Sequence, residues 1–402
     1  MKKIPPPFVI SAVVLLAAFG AFAIWGIPYI FQSPSFEASG EAYGSQAVRA
    51  RVAEILEEGQ ITLGENEQPY QILLVEIIEG EYQGILMEVD YGKRQLRNDT
   101  YAFSPGDEIF VTLGRDLNGV VSAYYLDYVR TNPLLILLGV FVAATILLGR
   151  WKGVGSLLSL AFTMLVITGY IIPHILAGED PLRVSLIGST ILLGVTLYTT
   201  YGWNLKTHAS VLSMIVALLL TGLLSIFFVS FTRLTGTGEE NALFLIQFSQ
   251  VTINLRGLLL GGMIIGSLGV LDDLVSSQSA AVFEIHDANP ALSFHRVFEK
   301  SMRIGRDHVA ATVNTLVLAY TGASLPLLLL FTLGQGNYGF LLNAAFVAEE
   351  IVRTLVGSLG LIAAVPITTL IATTLTLHED RLGLWRHVFG SIKGNDDTQH
   401  KH

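Results

Sequence analysis

The sequence predicts an α-helical polytopic membrane protein with about eight transmembrane helices and a small all-β, OB-like extracytoplasmic domain inserted after the first helix. Its 402 residues are 51% hydrophobic and only 14% charged. The mean hydropathy of +0.56 is one that a water-soluble globular chain could not carry without exposing apolar surface. Long apolar stretches recur along most of the chain, and residues 36–130 interrupt them with short alternating segments.

Charge and cysteine content exclude several classes of function. The net charge of -9 offers no basic surface for a phosphate backbone, so we expect no nucleic-acid partner. The chain has 0 cysteines, which excludes disulfides, thiolate metal ligands, iron–sulfur clusters and cysteine nucleophiles. Scattered histidines show no ligand spacing, and we predict neither a metal site nor a cofactor.

The first element is an apolar stretch, residues 8–30, that follows Lys2 and Lys3. It is long enough to cross a bilayer, and the two lysines predict a cytoplasmic amino terminus. We interpret residues 1–35 as a retained anchor helix, because cleavable signals usually have shorter apolar cores. Small residues at Ala38 and Gly40 leave cleavage open as an alternative.

Residues 36–130 form the predicted extracytoplasmic β domain. Alternating runs predict five strands, at 48–56, 70–78, 83–91, 108–113 and 120–128. Residues suited to tight reversals separate them, namely Gly59, Gly64, Gly80, Gly92, Asn98, the Ser104–Asp107 cluster and Asn118-Gly119. Five short strands in a segment of this length are typical of a small OB-like barrel.

Residues 131–380 are predicted to form a seven-helix transmembrane bundle, and residues 381–402 a cytoplasmic polar tail. The apolar segments lie at 134–148, 154–176, 184–201, 209–231, 256–275, 309–332 and 354–377. Basic residues between them, including Arg150, Lys206 and Arg296, fall on the side that holds Lys2 and Lys3. Both termini are therefore predicted to be cytoplasmic, and residues 36–130 to lie outside.

One predicted span carries a glycine-rich face that leads to a pair of acids. Gly262, Gly266 and Gly269 share this face, where small side chains allow close helix packing. Continuing along it places Asp273 in the packed bundle, with Asp272 about 100° further round the helix. An ionised group at the centre of a bilayer costs about 2.5 to 3.5 kcal/mol, so adjacent aspartates there need a partner or a function.

A second polar stripe follows where the next span begins. Asp307 and Asn314 are seven residues apart on one face, with His308 and Thr315 beside them. Both stripes start from the cytoplasmic side, and we predict that they converge on one pocket that binds a solute or an ion. The candidate binding residues are Asp272, Asp273, Gln278, Asp307, His308, Asn314 and Thr315. The alternative is that the aspartates sit at the water boundary and pair with Arg303 or Arg306.

Charged residues also mark the outer end of the last span. Glu349, Glu350 and Arg353 lie close together in the sequence. We interpret them as an interfacial ion pair, and an outer gate is the alternative.

Several sequence motifs resemble the YibE/F-like family of bacterial multipass membrane proteins. They are residues 269–273 (GVLDD), 278–282 (QSAAV), 305–308 (GRDH), 314–320 (NTLVLAY) and 322–326 (GASLP). The resemblance extends over the preceding outer domain and so covers nearly the whole chain. It implies an integral protein of the bacterial cytoplasmic membrane with a suggested role in transport, and it brings no established substrate or catalytic residues.

Three classes of function are consistent with these features to different degrees. The first is a transporter or permease for a small solute or ion, coupled to protons or ions through buried acidic residues. The alternative is a membrane-anchored scaffold or assembly factor that binds a protein partner through its outer β domain. An enzyme is not expected, because Gly-x-Gly-Asp, Gly-x-Ser-x-Gly, His-Glu-x-x-His and Walker motifs are all missing.

Overall fold

The structure is a computed structural model, and it describes residues 47–63, 66–94, 102–115, 121–239, 241–242, 244–245, 252–326, 328–329 and 338–378. The chain divides into two compact units, one of residues 38–148 and one of residues 1–37 with 149–402. Each unit is described by itself below. The predicted anchor helix at 8–30 and the predicted tail at 381–402 lie outside the described residues.

The first unit contains a five-stranded antiparallel sheet. Its strands are β1 (Ala47–Leu63), β2 (Asn66–Ile77), β3 (Leu86–Tyr91), β4 (Glu108–Arg115) and β5 (Val121–Tyr128). They lie side by side in the order β3-β2-β1-β4-β5. Strand β1 is central and pairs with β2 along most of its length and with β4 near its start.

The sheet curls so that its two outermost strands, β3 and β5, approach each other. The hydroxyls of Tyr91 on β3 and Tyr128 on β5 are 2.8 Å apart. The ring centroids of Tyr91 and Tyr125 are 4.7 Å apart. Alternate residues such as Leu73 and Val111 are fully buried on the concave side. The result is a curled antiparallel half-barrel around a small apolar core.

All five predicted strands are present, and the differences lie at their ends. Gly59, predicted as a turn residue, lies within β1 opposite Tyr70, because β1 and β2 continue together as a long hairpin. Strand β3 begins at Leu86 rather than at residue 83, since Gly80 and Gly84 adopt positive φ angles of 88° and 83° in the turn before it.

The rest of the described chain is mostly helical. The helices are α1 (Thr131–Val166), a π-helical segment (Ile167–Ile171), α2 (Ile172–Leu176), α3 (Pro181–Tyr201), α4 (Leu205–Phe231), α5 (Leu255–Ala288), α6 (Phe294–Ala323), α7 (Tyr338–Asn343) and α8 (Ala345–Leu377). Helix α1 is interrupted at Arg150, whose φ of 48° and ψ of -131° are not helical.

Six of these helical stretches are long and apolar enough to cross a membrane, counted over the described residues. They are Thr131–Arg150, Gly153–Leu176, Pro181–Tyr201, Leu205–Phe231, Leu255–Ala288 and Ala345–Leu377. Each of them overlaps one of the predicted spans. The predicted total of eight is not reached within the part of the chain that the structure describes.

The predicted span at 309–332 corresponds to a different kind of element. Helix α6 begins at Phe294, well before the predicted start, and it is not among the six apolar helices. Its polar residues, such as Arg303 and Asp307, lower its apolar content. It nevertheless packs along α5 and α8, so the bundle includes one strongly amphipathic helix.

Helix α5 forms the centre of the second unit, because it packs against α3, α4, α6 and α8. The side chain of Asn254 caps its first turn by accepting from the Gly257 amide at 3.0 Å. The helix continues without a break through Asp272 and Asp273 to Ala288, well beyond the predicted end at residue 275.

Candidate functional site

A cleft of about 410 Å³ lies among three helices of the bundle, α1 beyond its interruption, α3 and α5. Helix α5 contributes both aspartates of the acidic pair and Gly269. A Cβ atom added at Gly269 would meet nothing within 4 Å, so the glycine leaves open space beside the carboxylates. The cleft is rich in oxygen atoms, and its other polar lining residues are Ser156, Ser159, Thr163, Thr196, Thr200 and Tyr201.

The two aspartates occupy unequal environments. Asp273 is exposed and Asp272 is half-buried, which corrects the prediction that Asp273 is the acid directed into the packed bundle. The Oδ1 atom of Asp272 is buried and has no hydrogen-bond partner among the described residues. A carboxylate oxygen withdrawn from water without a donor is costly, so this atom favours a proton, a cation or a polar ligand beside it.

No arginine neutralises the pair within the described structure. None of the salt bridges found there includes Asp272 or Asp273, although Arg303 and Arg306 are both described. The alternative prediction, in which the aspartates pair with these arginines, is therefore not what the described residues show.

Hydroxyl side chains on the opposite wall of the cleft are held by their own helices. Thr163 donates to the Ser159 carbonyl at 2.9 Å, and Thr196 donates to the Leu192 carbonyl at 2.8 Å. Such bonds use the hydroxyl proton and leave the oxygen lone pairs available. The cleft therefore presents acceptors more than donors, an arrangement suited to a cation or a hydrogen-bond donor.

A short chain of hydrogen bonds borders the cleft at the end of α3. The Tyr201 hydroxyl lies 3.1 Å from the Ser276 hydroxyl. Ser276 in turn donates to the Asp273 carbonyl at 3.2 Å. These contacts tie the end of α3 to the turn of α5 that carries the acids.

Gln278 is positioned on another side of α5, away from the cleft. It is 1% exposed. Its Nε2 donates to the Ser301 carbonyl at 3.0 Å and to Thr369 Oγ1 at 2.8 Å. These bonds brace α5, α6 and α8 against one another. His308 belongs to the same region, with Nδ1 3.3 Å from the Ser277 hydroxyl.

The remaining candidates on α6 face outward. Asp307, Asn314 and Thr315 are all exposed, and Thr315 donates to the Ala311 carbonyl at 3.0 Å. The predicted convergence of the two polar stripes on one pocket is therefore wrong for the described structure. The cleft pairs the acids with α1 and α3, because α6 contacts the other side of α5 and presents its polar stripe outward.

Close helix packing also uses a different face of α5 from the predicted one. A Cβ at Gly262 or Gly269 would meet nothing within 4 Å, and one at Gly266 would reach only the Tyr320 hydroxyl at 3.8 Å. A Cβ at Gly261 would instead collide with the Ser185 hydroxyl and lie 3.1 Å from the Pro181 carbonyl. The α3–α5 contact thus depends on Gly261 and its neighbour one turn earlier, Gly257.

The predicted charged group at the start of α8 holds a loop. Arg353 contacts Glu350 at 3.0 Å and Glu239 at 2.7 Å, so the predicted ion pair is present. Glu349 is 3% exposed, and its Oε1 accepts from the amides of Gly236 at 3.0 Å and Gly238 at 3.1 Å. Glu349 thus holds the loop that follows α4, a role that was not predicted from the sequence.

The hydroxyl wall of the cleft, formed by serines and threonines of α1 and α3, was not predicted from the sequence either. Ser156, Ser159 and Thr163 are spaced by three and four residues, and Thr196 and Thr200 by four, so each set lies on one helical face. Polar stripes of this kind within apolar spans were a signal that could have identified the cleft. Among the described residues, no group of three or more His, Asp or Glu side chains is placed to hold a metal ion.

Comparison with protein-family models gives one match. Residues 137–378, more than half of the chain, match the model described as YibE/F-like protein. The match begins after the β-strands, so it does not include the β domain to which the sequence resemblance was extended. No curated protein and no solved structure matches the chain.

Proposed function

We propose that this chain, which belongs to the YibE/F-like family and is a multipass membrane protein, transports a small cationic or hydrogen-bond-donating solute through the cleft that holds Asp272. The observation that carries the proposal is the Oδ1 atom of Asp272, which is buried and has no hydrogen-bond partner in the part of the chain that the structure describes. Coupling to a proton or an ion would follow from the same feature, because the carboxylate must bind a positive species to be stable there.

The composition of the cleft supports this class of solute. Its described polar lining is made of hydroxyls and carboxylates, and no lysine or arginine is among the described residues that line it. A cation or a donor-rich solute gains from such a lining, whereas an anion would be repelled. Its volume of about 410 Å³ suits a small molecule.

The location of the cleft supports access from the cytoplasm. It involves the first turns of the Gly153–Leu176 span and the last turns of α3. Arg150 and Lys206 flank these helix ends in the sequence, and basic residues favour the cytoplasmic side. We propose the bacterial cytoplasmic membrane as the location, with both termini inside and residues 36–130 outside.

Flux measurements in proteoliposomes test the proposal. The purified chain is reconstituted with a trapped pH-sensitive dye, and gradients of Na⁺, K⁺, Mg²⁺ and small organic cations are imposed in turn. We expect a gradient-dependent signal that Asp272→Asn lowers at least about tenfold, the loss expected when an essential buried charge is removed. Asp287→Asn is the matched control, because Asp287 is exposed near the end of the same helix. Equal flux in both variants would remove Asp272 from the mechanism.

The absence of cysteine allows a direct test of topology. A single cysteine at Gly106, which lies in open space in a turn of the β unit, should react with a membrane-impermeant maleimide added outside intact cells. A cysteine at Lys206 should react only after the membrane is opened. The reverse pattern would contradict the proposed orientation.

A scaffold acting through the β unit is the second candidate. Its support is a set of apolar side chains exposed on that unit, namely Leu56, Ile85, Leu86, Tyr124 and Leu126. The order of the strands and the approach of β3 to β5 support an OB-like barrel, a fold that commonly presents binding surfaces. Deleting residues 36–130 should abolish the activity of a scaffold and leave solute flux through the cleft measurable.

A further inference from the structure

The row of hydroxyl side chains on α3 continues beyond the cleft. Thr196 and Thr200 line the cleft, and Ser189 and Ser185 extend the same helical face at spacings of seven and four residues. We call these four residues the α3 stripe. It runs from the cleft toward the start of α3, the end of the helix that the proposed topology places outside.

Helix α5 lies along the α3 stripe in a parallel register. The atom nearest to a Cβ added at Gly261 is the hydroxyl oxygen of Ser185, near the start of α3. At the end of α3, the Tyr201 hydroxyl is 3.1 Å from that of Ser276. The two contacts are sixteen residues apart on α3 and fifteen apart on α5, so equal steps along the two helices keep their residues level.

This register places Ser189 immediately beyond the cleft. Thr196 is level with Asp272, and Ser189 is level with Ile265, the first residue of α5 in the lining of the cleft. Ser185 follows one helical turn further out. A solute that left Asp272 along the α3 stripe would therefore meet Ser189 and then Ser185.

The two serines differ from neighbouring hydroxyl residues in their hydrogen bonds. Ser185 is 1% exposed and Ser189 is 0% exposed, and neither hydroxyl has a hydrogen-bond partner among the described residues. Ser213 of α4 is equally buried, but it donates to the Ala209 carbonyl at 2.6 Å, as a serine in an apolar helix commonly does. Thr190, the next residue on α3, also donates to its own helix, at 2.8 Å. The two serine hydroxyls therefore keep their bonding capacity for a group that is not part of the described residues.

The path along the α3 stripe is closed at its outer part in this structure. A Cβ at Gly261 would collide with the Ser185 hydroxyl and lie 3.1 Å from the Pro181 carbonyl, so α3 and α5 touch closely there. On a neighbouring face of α3, a Cβ at Gly188 would lie 2.7 Å from Ile171 of the π-helical segment. A solute can pass outward only if α3 moves away from α5 at Gly261.

We propose that the solute crosses the bundle along the α3 stripe, with the hydroxyls of Ser189 and Ser185 as its binding positions after Asp272. The contact between Ser185 and Gly261 is the outer closure of this path. The inference rests on the proposed transport function and adds a route to it. Hydroxyl oxygens suit the same small cationic or hydrogen-bond-donating solute as the cleft does. A closed outer contact beside a cleft reached from the cytoplasm agrees with alternating access, in which one end of the path is closed while the other is open.

Thiol labelling tests the route, because the natural chain contains 0 cysteines. Ser189→Cys is treated in proteoliposomes with a small cationic methanethiosulfonate. Thr190→Cys and Ser213→Cys are the matched controls, since Thr190 is exposed on another face of α3 and Ser213 is buried against its own helix. A thiol among apolar groups stays protonated and unreactive, so we expect Ser189→Cys to react at least about tenfold faster than either control.

A disulfide across the outer closure tests whether it must open. A Cβ at Gly261 would lie 3.2 Å from the Cβ of Ser185, close to the separation of about 3.5 to 4.5 Å found in disulfides. Mild oxidation of the double variant Ser185→Cys/Gly261→Cys should therefore link α3 to α5. We expect the link to lower solute flux at least about tenfold, since the helices can no longer separate, and reduction to restore it. The reduced double variant is the control for the two substitutions themselves.

The outcomes separate the route from the transport function. If Ser189→Cys reacts no faster than the controls, the route is wrong, and the same labelling decides the matter if the double variant does not fold. Full flux in the oxidised double variant would overturn the outer closure. In either case, flux through the parent chain would leave the transport function standing. A parent chain without flux under any imposed gradient would overturn the transport function and the route with it.

Discussion

A buried carboxylate and a half-buried one in the same bundle differ in their hydrogen-bond partners. Glu349, at the start of α8, receives two backbone amides on one oxygen, at 3.0 Å and 3.1 Å. Asp272, on α5, has a buried oxygen with no donor among the described residues. Glu349 therefore stabilises the fold, whereas Asp272 has an oxygen atom that can still accept a hydrogen bond or bind a cation.

The largest expected effect follows from removing the carboxylate with two donors. Glu349→Ala leaves the amides of Gly236 and Gly238 unpaired, and we expect a loss of about 3 kcal/mol in the free energy of unfolding. Thermal unfolding in detergent measures it. Glu350→Ala is the control, because the ion pair that Glu350 forms within the described residues is with Arg353 alone, and its loss should cost less than about 1 kcal/mol. Similar losses in both variants would mean that the loop is not fastened by Glu349.

The next prediction concerns packing around the helix that carries Asp272. Gly261→Ala puts a methyl group against the Ser185 hydroxyl and the Pro181 carbonyl, and overpacking of this kind costs about 1 to 3 kcal/mol. Gly262→Ala adds the same methyl group in open space and should be neutral or slightly stabilising. The same unfolding assay compares the two variants. A larger loss of stability for Gly262→Ala than for Gly261→Ala would mean that Gly262 lies on the packed face of α5.

A smaller effect on stability is expected at the unpartnered carboxylate itself. Asp272→Asn removes a charge that no described residue neutralises, so the free energy of unfolding should change by less than about 1 kcal/mol or should rise. The measurement is the same unfolding curve, run beside the flux assay. A loss as large as that of Glu349→Ala would show that Asp272 is a structural residue, and the contrast between the two carboxylates would fail.

The smallest expected effect belongs to a third carboxylate, which is in contact with water. Hydrogen bonds from Arg51 and Arg49 lower the pKa of Glu108 below its ordinary value of 4.5. Glu108 therefore stabilises the β unit above that pH, and its contribution is lost as the pH falls through the lowered pKa. Hydrogen exchange of β1 and β4 amides in the full chain should show faster opening in acid. Glu108→Gln should flatten this acid dependence, and an unchanged profile in that variant would exclude the effect.

The elements of the fold were accessible from the sequence because their signals are local. The five strands follow from alternation and turn residues, and the apolar spans follow from length alone. The position of helix α6 was harder to predict. Its polar stripe suggests the lining of a pocket, but the sequence does not say which helix the stripe faces. The predicted span at 309–332 is not among the six apolar helices of the described residues, because the charged residues in the first half of α6 lower its apolar content.

The site was only half accessible. The presence of Asp272 and Asp273 on one helix was evident, and their relative burial was not. Successive residues of a helix differ by about 100° of rotation. A small error in predicting the packed face of α5 is therefore enough to assign the wrong aspartate as the buried one. The serines and threonines opposite them form polar stripes in the sequence, but the sequence does not say that α1 and α3 lie beside α5.

The π-helical segment at Ile167–Ile171 determines how the two parts of its helix are rotated about the helix axis. The part before it carries Ser156, Ser159 and Thr163, which line the cleft. The segment begins one turn after Thr163, and Tyr170 and Ile171 within it are buried, with Ile171 packed against Gly188. A π turn holds about one residue more than an α turn, so if these 5 residues formed α-helical turns instead, the helix beyond them would be rotated by about 100° relative to the part before them. The hydroxyls of the cleft could then face Asp272 and Asp273 only if Tyr170 and Ile171 left their buried positions. The extra residue of the π turn therefore allows one helix to direct its hydroxyls into the cleft and its large side chains into the core.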